Sequence, residues 1–95
     1  MIIITAKQTI KEDMIETYQK LAEELVTLSR QEEGCVFYYS SRSMEEKNVF
    51  MFVENWKDQD AIDAHGKTEH FTRIVPQFAE LFAAEEIVTK YEVVK

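Results

Sequence analysis

A carboxylate, an indole and two imidazoles fall within a short stretch of this chain: Glu54-Asn55-Trp56, then Asp58, Ala61, His65, Thr68, His70 and Phe71. Proton transfer near neutral pH calls for an imidazole, whose ordinary pKa lies there. A carboxylate can join it when burial raises its pKa. His65 and His70 are therefore candidate bases, and Glu54 could orient a histidine or take the proton itself. Trp56, Phe52, Phe71 and Tyr39 could wall an apolar substrate cage. Each also has a plainer explanation. His65 closes a short helix, where an imidazole favours the carboxyl end. His70 precedes an apolar stripe and suits a surface position. Glu54 suits a salt bridge to Lys or Arg across a dimer, and Trp56 suits the core. Cys35 has no activating neighbour and reads as a small buried hydrophobe. Arg30 reads as a cation at the end of the first helix.

Metal and cofactor chemistry find less support. His65 and His70 are five apart with Gly66 between them, which is not the i, i+4 spacing that shares one helical face. No Cys pair or second carboxylate completes a ligand set, so no metal is expected. Two isolated glycines make no phosphate-binding loop, so no nucleotide cofactor is expected either.

The elements that must position these residues follow from periodicity. Ile2 to Gln8 is β-branched and apolar and reads as a strand. Met14, Tyr18, Leu21, Ala22, Leu25, Leu28 and Ser29 recur at spacings of three and four. They predict a helix over 12–31, with Gly34 as a turn residue. Cys35 to Arg42 and Val49 to Trp56 read as a hairpin. Asp58 can cap a helix over 59–65 that Gly66 stops. Thr68 can cap another, whose stripe runs through Phe71, Ile74, Val75, Phe78, Leu81 and Phe82, with a kink or break at Pro76. Ile87 to Val94 is the last strand. The order predicts an α+β fold, a ferredoxin-like split βαβ sandwich with both helical layers on one face of an antiparallel sheet.

Two helices cover one sheet face, yet the strands are apolar on both. Val49, Met51 and Val53 alternate with Phe50, Phe52 and Trp56, and Cys35, Phe37 and Tyr39 alternate with Val36 and Tyr38. A second copy of the sheet is the simplest cover, so a homodimer packed face to face is expected, giving a dimeric α+β barrel.

Ninety-five residues, 45% hydrophobic and 31% charged, suit a single domain over 1–95. The net charge of −7 repels phosphate backbones, so no nucleic-acid partner is expected. No apolar run reaches membrane-span length. The N-terminus is too short in apolar residues for a signal peptide, and one cysteine fits a reducing, cytoplasmic setting.

Taken together, Ser29-Arg30-Gln31-Glu32-Glu33-Gly34-Cys35, Tyr38-Tyr39, Glu54-Asn55-Trp56-Lys57-Asp58, Ala61, Ala64-His65 and Thr68-Glu69-His70-Phe71 resemble the antibiotic biosynthesis monooxygenase (ABM) domain family over nearly the whole chain. That resemblance implies a small dimeric α+β barrel, and single-domain members include quinol monooxygenases. It implies cofactor-independent oxidation of a quinol or related phenol by dioxygen, with a base, an apolar cage and donors for the developing oxyanion. Haem-degrading relatives carry an Asn on the first strand, and Ile2 to Gln8 has none. Two other readings stand beside this one. One is an isomerase or other proton-shuttling enzyme on a small phosphorylated metabolite, drawing on Arg42, Lys47, Lys67 or Arg73. The other is a non-catalytic dimeric binding or stress-response module.

Overall fold

Alternating apolar residues build the strands of this chain, and helical stripes build the layer that covers them. The computed structural model describes residues 1–95. Strand β1 (Ile2–Thr9) is followed by a 3-10 turn (Glu12–Met14) and helix α1 (Ile15–Ser29). Then come β2 (Cys35–Arg42), β3 (Val49–Trp56), α2 (Gln59–His65), α3 (Glu69–Phe78), a second 3-10 turn (Ala79–Leu81) and β4 (Ile87–Glu92). The strands lie in the order β2-β3-β1-β4 and every neighbouring pair is antiparallel. This is the expected ferredoxin-like α+β topology, with β1 and β3 in the middle. The first helix is shorter than the stripe predicts, because its first turn is 3-10 and it ends at Ser29. The last strand ends at Glu92 rather than Val94.

The inner sheet face meets the helices. Ile4, Ala6 and Gln8 of β1, Phe50, Phe52, Glu54 and Trp56 of β3, and Tyr38 of β2 are all buried there. Tyr18 and Leu25 of α1 and Ile74 and Phe78 of α3 close over them. Tyr18 is the hub, with ring centroids 4.8 Å from Phe50 and 5.2 Å from Phe78. Burying each such ring stabilises the fold by roughly 1.5–3 kcal/mol.

The outer face carries Ile3, Thr5 and Lys7 of β1, Met51 and Val53 of β3, Phe37 and Tyr39 of β2, and Tyr91 of β4, as the register requires. The register shifts between Cys35 and Phe37, so these two do not share a face as simple alternation predicts. Cys35 lies opposite Trp56 and Phe37 opposite Asn55.

Local signals set the helix ends. The Asp58 carboxylate accepts from the Ala61 N–H at 2.8 Å, and the Thr68 hydroxyl accepts from the Phe71 N–H at 3.2 Å. Pro76 lies inside α3 without ending it, and the helix tightens into its 3-10 turn three residues later. Gly34 is needed for a different reason than a turn. Its backbone is not left-handed, but a Cβ there would sit 2.3 Å from the Ala61 Cβ. The absence of a side chain lets α2 press against the α1–β2 connection, which is what brings His65 towards Glu32. Gly34→Ala should therefore destabilise the protein by about 1–3 kcal/mol, an overpacking cost. Adding Ala61→Gly should recover much of the loss in a denaturant titration. No recovery would show that the contact is not what Gly34 serves.

Candidate active site

Between the sheet and the helices lies a cavity of about 280 Å³. Its walls are mostly apolar, with Ile4, Phe52, Phe71 and Val75 among them, and four titratable residues line it: Tyr38, Glu54, His65 and Glu86. Its fourteen lining residues include no Lys or Arg.

Glu54 reaches the cavity because it shares a strand face with Phe52 and Trp56. Its Oε1 accepts the Trp56 indole N–H at 2.9 Å. Tyr38 stands directly opposite it on β2. Burial pushes the Glu54 carboxyl up to about 7, while the Trp56 and Tyr38 donors pull it down and the negative charges of Glu32 and Glu86 push it up again. The Tyr38 hydroxyl is itself pushed well above its usual range by burial first and by Glu54 second. It therefore stays a proton donor.

His65 is the last residue of α2 and is buried. Its ring packs 4.4 Å from Trp56, 5.0 Å from Phe71 and 5.6 Å from Tyr38, centroid to centroid. Its Nδ1 lies 2.7 Å from Oε2 of Glu32, in the α1–β2 connection. The same oxygen lies 2.8 Å from Nε2 of His70, the second residue of α3. A carboxylate only accepts, so each imidazole presents an N–H to it. His65 with its proton on Nδ1 keeps a bare lone pair on Nε2, and that nitrogen is buried with no partner. Burial lowers the His65 pKa, and His70 adds to that, against the opposing pull of Glu32. The result is a neutral, oriented imidazole with an unpaired, buried nitrogen, in a residue that lines the cavity; a general base needs such a free lone pair.

A second polar chain lies at the Gln8 end of the cavity. The Tyr18 hydroxyl donates to Oε1 of Gln8, and Nε2 of Gln8 donates to Glu86 at 2.6 Å. Burial raises the Tyr18 pKa, with Glu86 adding to it. Cys35 is likewise pushed up, by burial first and then by Glu32 and Glu54. A thiol so placed is a poor nucleophile.

Of the residues singled out by type and spacing, Glu54, His65, Phe52 and Phe71 line the cavity. Trp56 is completely buried behind that wall, holding Glu54 and His65. His70 meets Glu32 rather than the cavity. Tyr39, a candidate for the cage wall, does not reach the cavity. It points to the outer face, is 52% exposed, and stacks on Phe37, while Tyr38 takes the inner position. Within the chain Glu54 pairs with the Trp56 indole, and Glu32 takes the histidine-orienting role. The two histidines do not share a helix, as their spacing requires, yet the α2–α3 turn brings their centroids to 6.1 Å. Arg73 is tied to Glu24 and Glu69 on the surface, and Arg42 caps the Lys47 carbonyl. Neither reaches the cavity. Gln8, Glu32, Tyr38 and Glu86 were not among the candidate site residues. Gln8 alone had a signal, a polar residue on the buried side of an apolar strand.

In sequence and fold the chain is similar to known proteins. The sequence pattern of the family described as "Antibiotic biosynthesis monooxygenase" matches residues 1–77. A Bacillus subtilis protein called "Putative monooxygenase YcnE" is 35% identical over 92 residues, covering 97% of each chain. A crystal structure described as an antibiotic biosynthesis monooxygenase is 34% identical and superposes with a TM-score of 0.94 over 100% of both chains. A conserved protein from Methanosarcina mazei Go1 is 27% identical, with a TM-score of 0.92 over 96% of this chain and 90% of its own.

The Glu54 carboxyl makes stability depend on pH with a definite sign. Folded, it holds its proton more tightly than in the unfolded chain. The stability it contributes is complete below about pH 4.5 and is lost as pH rises through about 7. The loss is on the order of 3 kcal/mol. Glu54→Gln keeps an acceptor for the Trp56 N–H but cannot ionise. Urea titrations from pH 5 to 8.5 should show a steeper stability decline for wild type than for the variant. Parallel curves would mean that Glu54 is not buried as described.

Proposed function

The chain belongs to the antibiotic biosynthesis monooxygenase family, and from that premise and its cavity we propose that it oxidises a flat, electron-rich phenol, best a quinol, with dioxygen. The observation that carries the reading is the unpartnered, buried Nε2 of His65, on a ring that Glu32 holds and that forms part of the cavity wall. In this reading Nε2 takes a phenolic proton, and Glu32 stabilises the imidazolium that forms. The phenolate passes one electron to dioxygen, and the superoxide and semiquinone so formed combine at a ring carbon. The resulting hydroperoxide loses water across its O–O bond. The sum is quinol plus dioxygen to hydroxyquinone plus water, which balances without an added reductant. Glu54, with a pKa of about 7, can return a proton to the departing oxygen, and Tyr38 can donate to the developing oxyanion. Apolar walls admit dioxygen and exclude the bulk water that would stabilise the phenolate. A volume of about 280 Å³ is at the small end for ligand sites and suits one or two fused rings.

The two other readings fare worse on particular observations. A phosphorylated substrate needs cations, and the cavity lining has none. A binding module without chemistry has no use for a desolvated imidazole oriented by a carboxylate. The outer sheet face supports a homodimer. Val53, Met51, Phe37 and Ile3 are half-buried there, and Tyr39 and Tyr91 are more than half exposed. A second copy of that face would remove them from water, at about 25 cal/mol for each Å² covered.

His65→Ala should reduce oxygen consumption with reduced benzo- and naphthoquinones by roughly 10²–10⁴-fold, the usual weight of a general base. Equal rates for wild type and variant across the panel would end the proposal. Light scattering should give twice the chain mass at micromolar concentration. Val53→Glu, which puts a charge at the middle of the outer face, should shift it towards one chain mass. A wild-type monomer would contradict the dimer.

A further inference from the structure

Glu32, His65 and His70 come from three separate segments: the α1–β2 connection, the end of α2 and the start of α3. A carboxylate oxygen and two imidazole nitrogens lie there within 4.8 Å of one another. Their side chains are only 14%, 5% and 14% exposed. We propose that this cluster binds a divalent transition-metal ion of zinc-like character, and that the bound ion switches off the base.

The donor set decides the class of ion. Two imidazoles and one carboxylate suit Zn²⁺ and its neighbours, whereas Mg²⁺ and Ca²⁺ prefer oxygen-only shells. The segments that carry the donors are braced near one another. His65 is wedged between Trp56 and Phe71. The Thr68 hydroxyl ties the start of α3 to the His65 carbonyl at 2.8 Å. The present N···O distances of 2.7 and 2.8 Å are hydrogen-bonding distances. Ligand bonds of about 2.0–2.2 Å around a tetrahedral ion need donors roughly 3.3 Å apart. The two imidazole nitrogens, now within 4.8 Å of each other, must draw together, and the Glu32 carboxylate must withdraw by about half an ångström. It can do so because it sits on a connection and is partly exposed. Solvent on that side can fill the fourth position. A chain of net charge −7 also favours a dication over an anion.

Proton accounting links the ion to the cavity. Without metal, Nδ1 of His65 and Nε2 of His70 carry protons directed at Glu32. An ion needs the lone pairs of those same two nitrogens. The His65 proton must then leave Nδ1, and the neutral ring carries it on Nε2 instead. A protonated Nε2 cannot accept a proton from substrate. This inhibitory half rests on His65 acting as the base, whereas the binding half does not.

Calorimetry of Zn²⁺ into the full-length, chelator-stripped protein, without substrate, tests the binding half. One ion per chain at micromolar affinity or tighter is expected, with a raised Tm. Mg²⁺ should do neither. His70→Gln keeps an N–H for Glu32 but offers a poor metal ligand, so its folded form should bind Zn²⁺ at least tenfold more weakly. Unchanged affinity in a folded His70→Gln, or a Zn²⁺ effect no greater than that of Mg²⁺, overturns the site and leaves the oxygenase reading untouched. Oxygen consumption by the wild type should fall at least tenfold on saturation with Zn²⁺ and return with chelator. Binding without that fall overturns the switch.

Discussion

Oxygen Oε2 of Glu32 is the point on which the arrangement turns. It accepts from two histidines that belong to different helices, at 2.7 and 2.8 Å. A carboxylate that takes up both N–H groups fixes both tautomers at once. It also ties the α1–β2 connection to the α2–α3 turn, and so holds the lower edge of the helical layer against the sheet. The close approach needed for this is provided by Gly34, whose backbone meets Ala61 of α2 without a side chain between them. A bulkier residue at 34 would move His65 relative to Glu54 as well as straining the connection.

The cavity then separates two acid–base groups by environment. Glu54 is moved upward by burial, and His65 is moved downward by it. Desolvation disfavours the charged form in both cases, so a carboxyl and an imidazole are drawn towards the same neutral range from opposite sides. Both can exist uncharged in an apolar enclosure, one as a donor and the other as an acceptor. Trp56 links them physically. Its indole N–H is bonded to Glu54, and its ring lies against His65. This explains why an indole that never reaches the cavity surface still matters to it. At the far end, the Tyr18–Gln8–Glu86 chain satisfies the polar groups that would otherwise be stranded in the core.

Much of this was legible in the sequence where periodicity carries information. The strand order, both capped short helices and the inward position of Glu54 follow from period-2 and period-3.6 patterns. Tyr38 and Tyr39 show where that reasoning fails. β2 is apolar on both sides, so alternation says that they face oppositely but not which one meets the helices. The irregularity after Cys35 further shifts the phase. Glu32 and Glu86 lie outside the regular elements, where no repeat points to them. The His65–His70 spacing correctly excludes a shared helix face. It says nothing about a turn that folds one helix back beside the other, which is a tertiary fact.

The base chemistry requires His65 to be neutral, protonated on Nδ1 and bare on Nε2 inside the folded protein. Nitrogen-detected NMR of ¹⁵N-histidine-labelled, metal-free protein at neutral pH reads this directly. The expected spectrum has a pyrrole-like Nδ1 and a pyridine-like Nε2 for His65, with the Nδ1 proton in a strong hydrogen bond that Glu32→Gln weakens. An imidazolium, or a proton on Nε2, would contradict it.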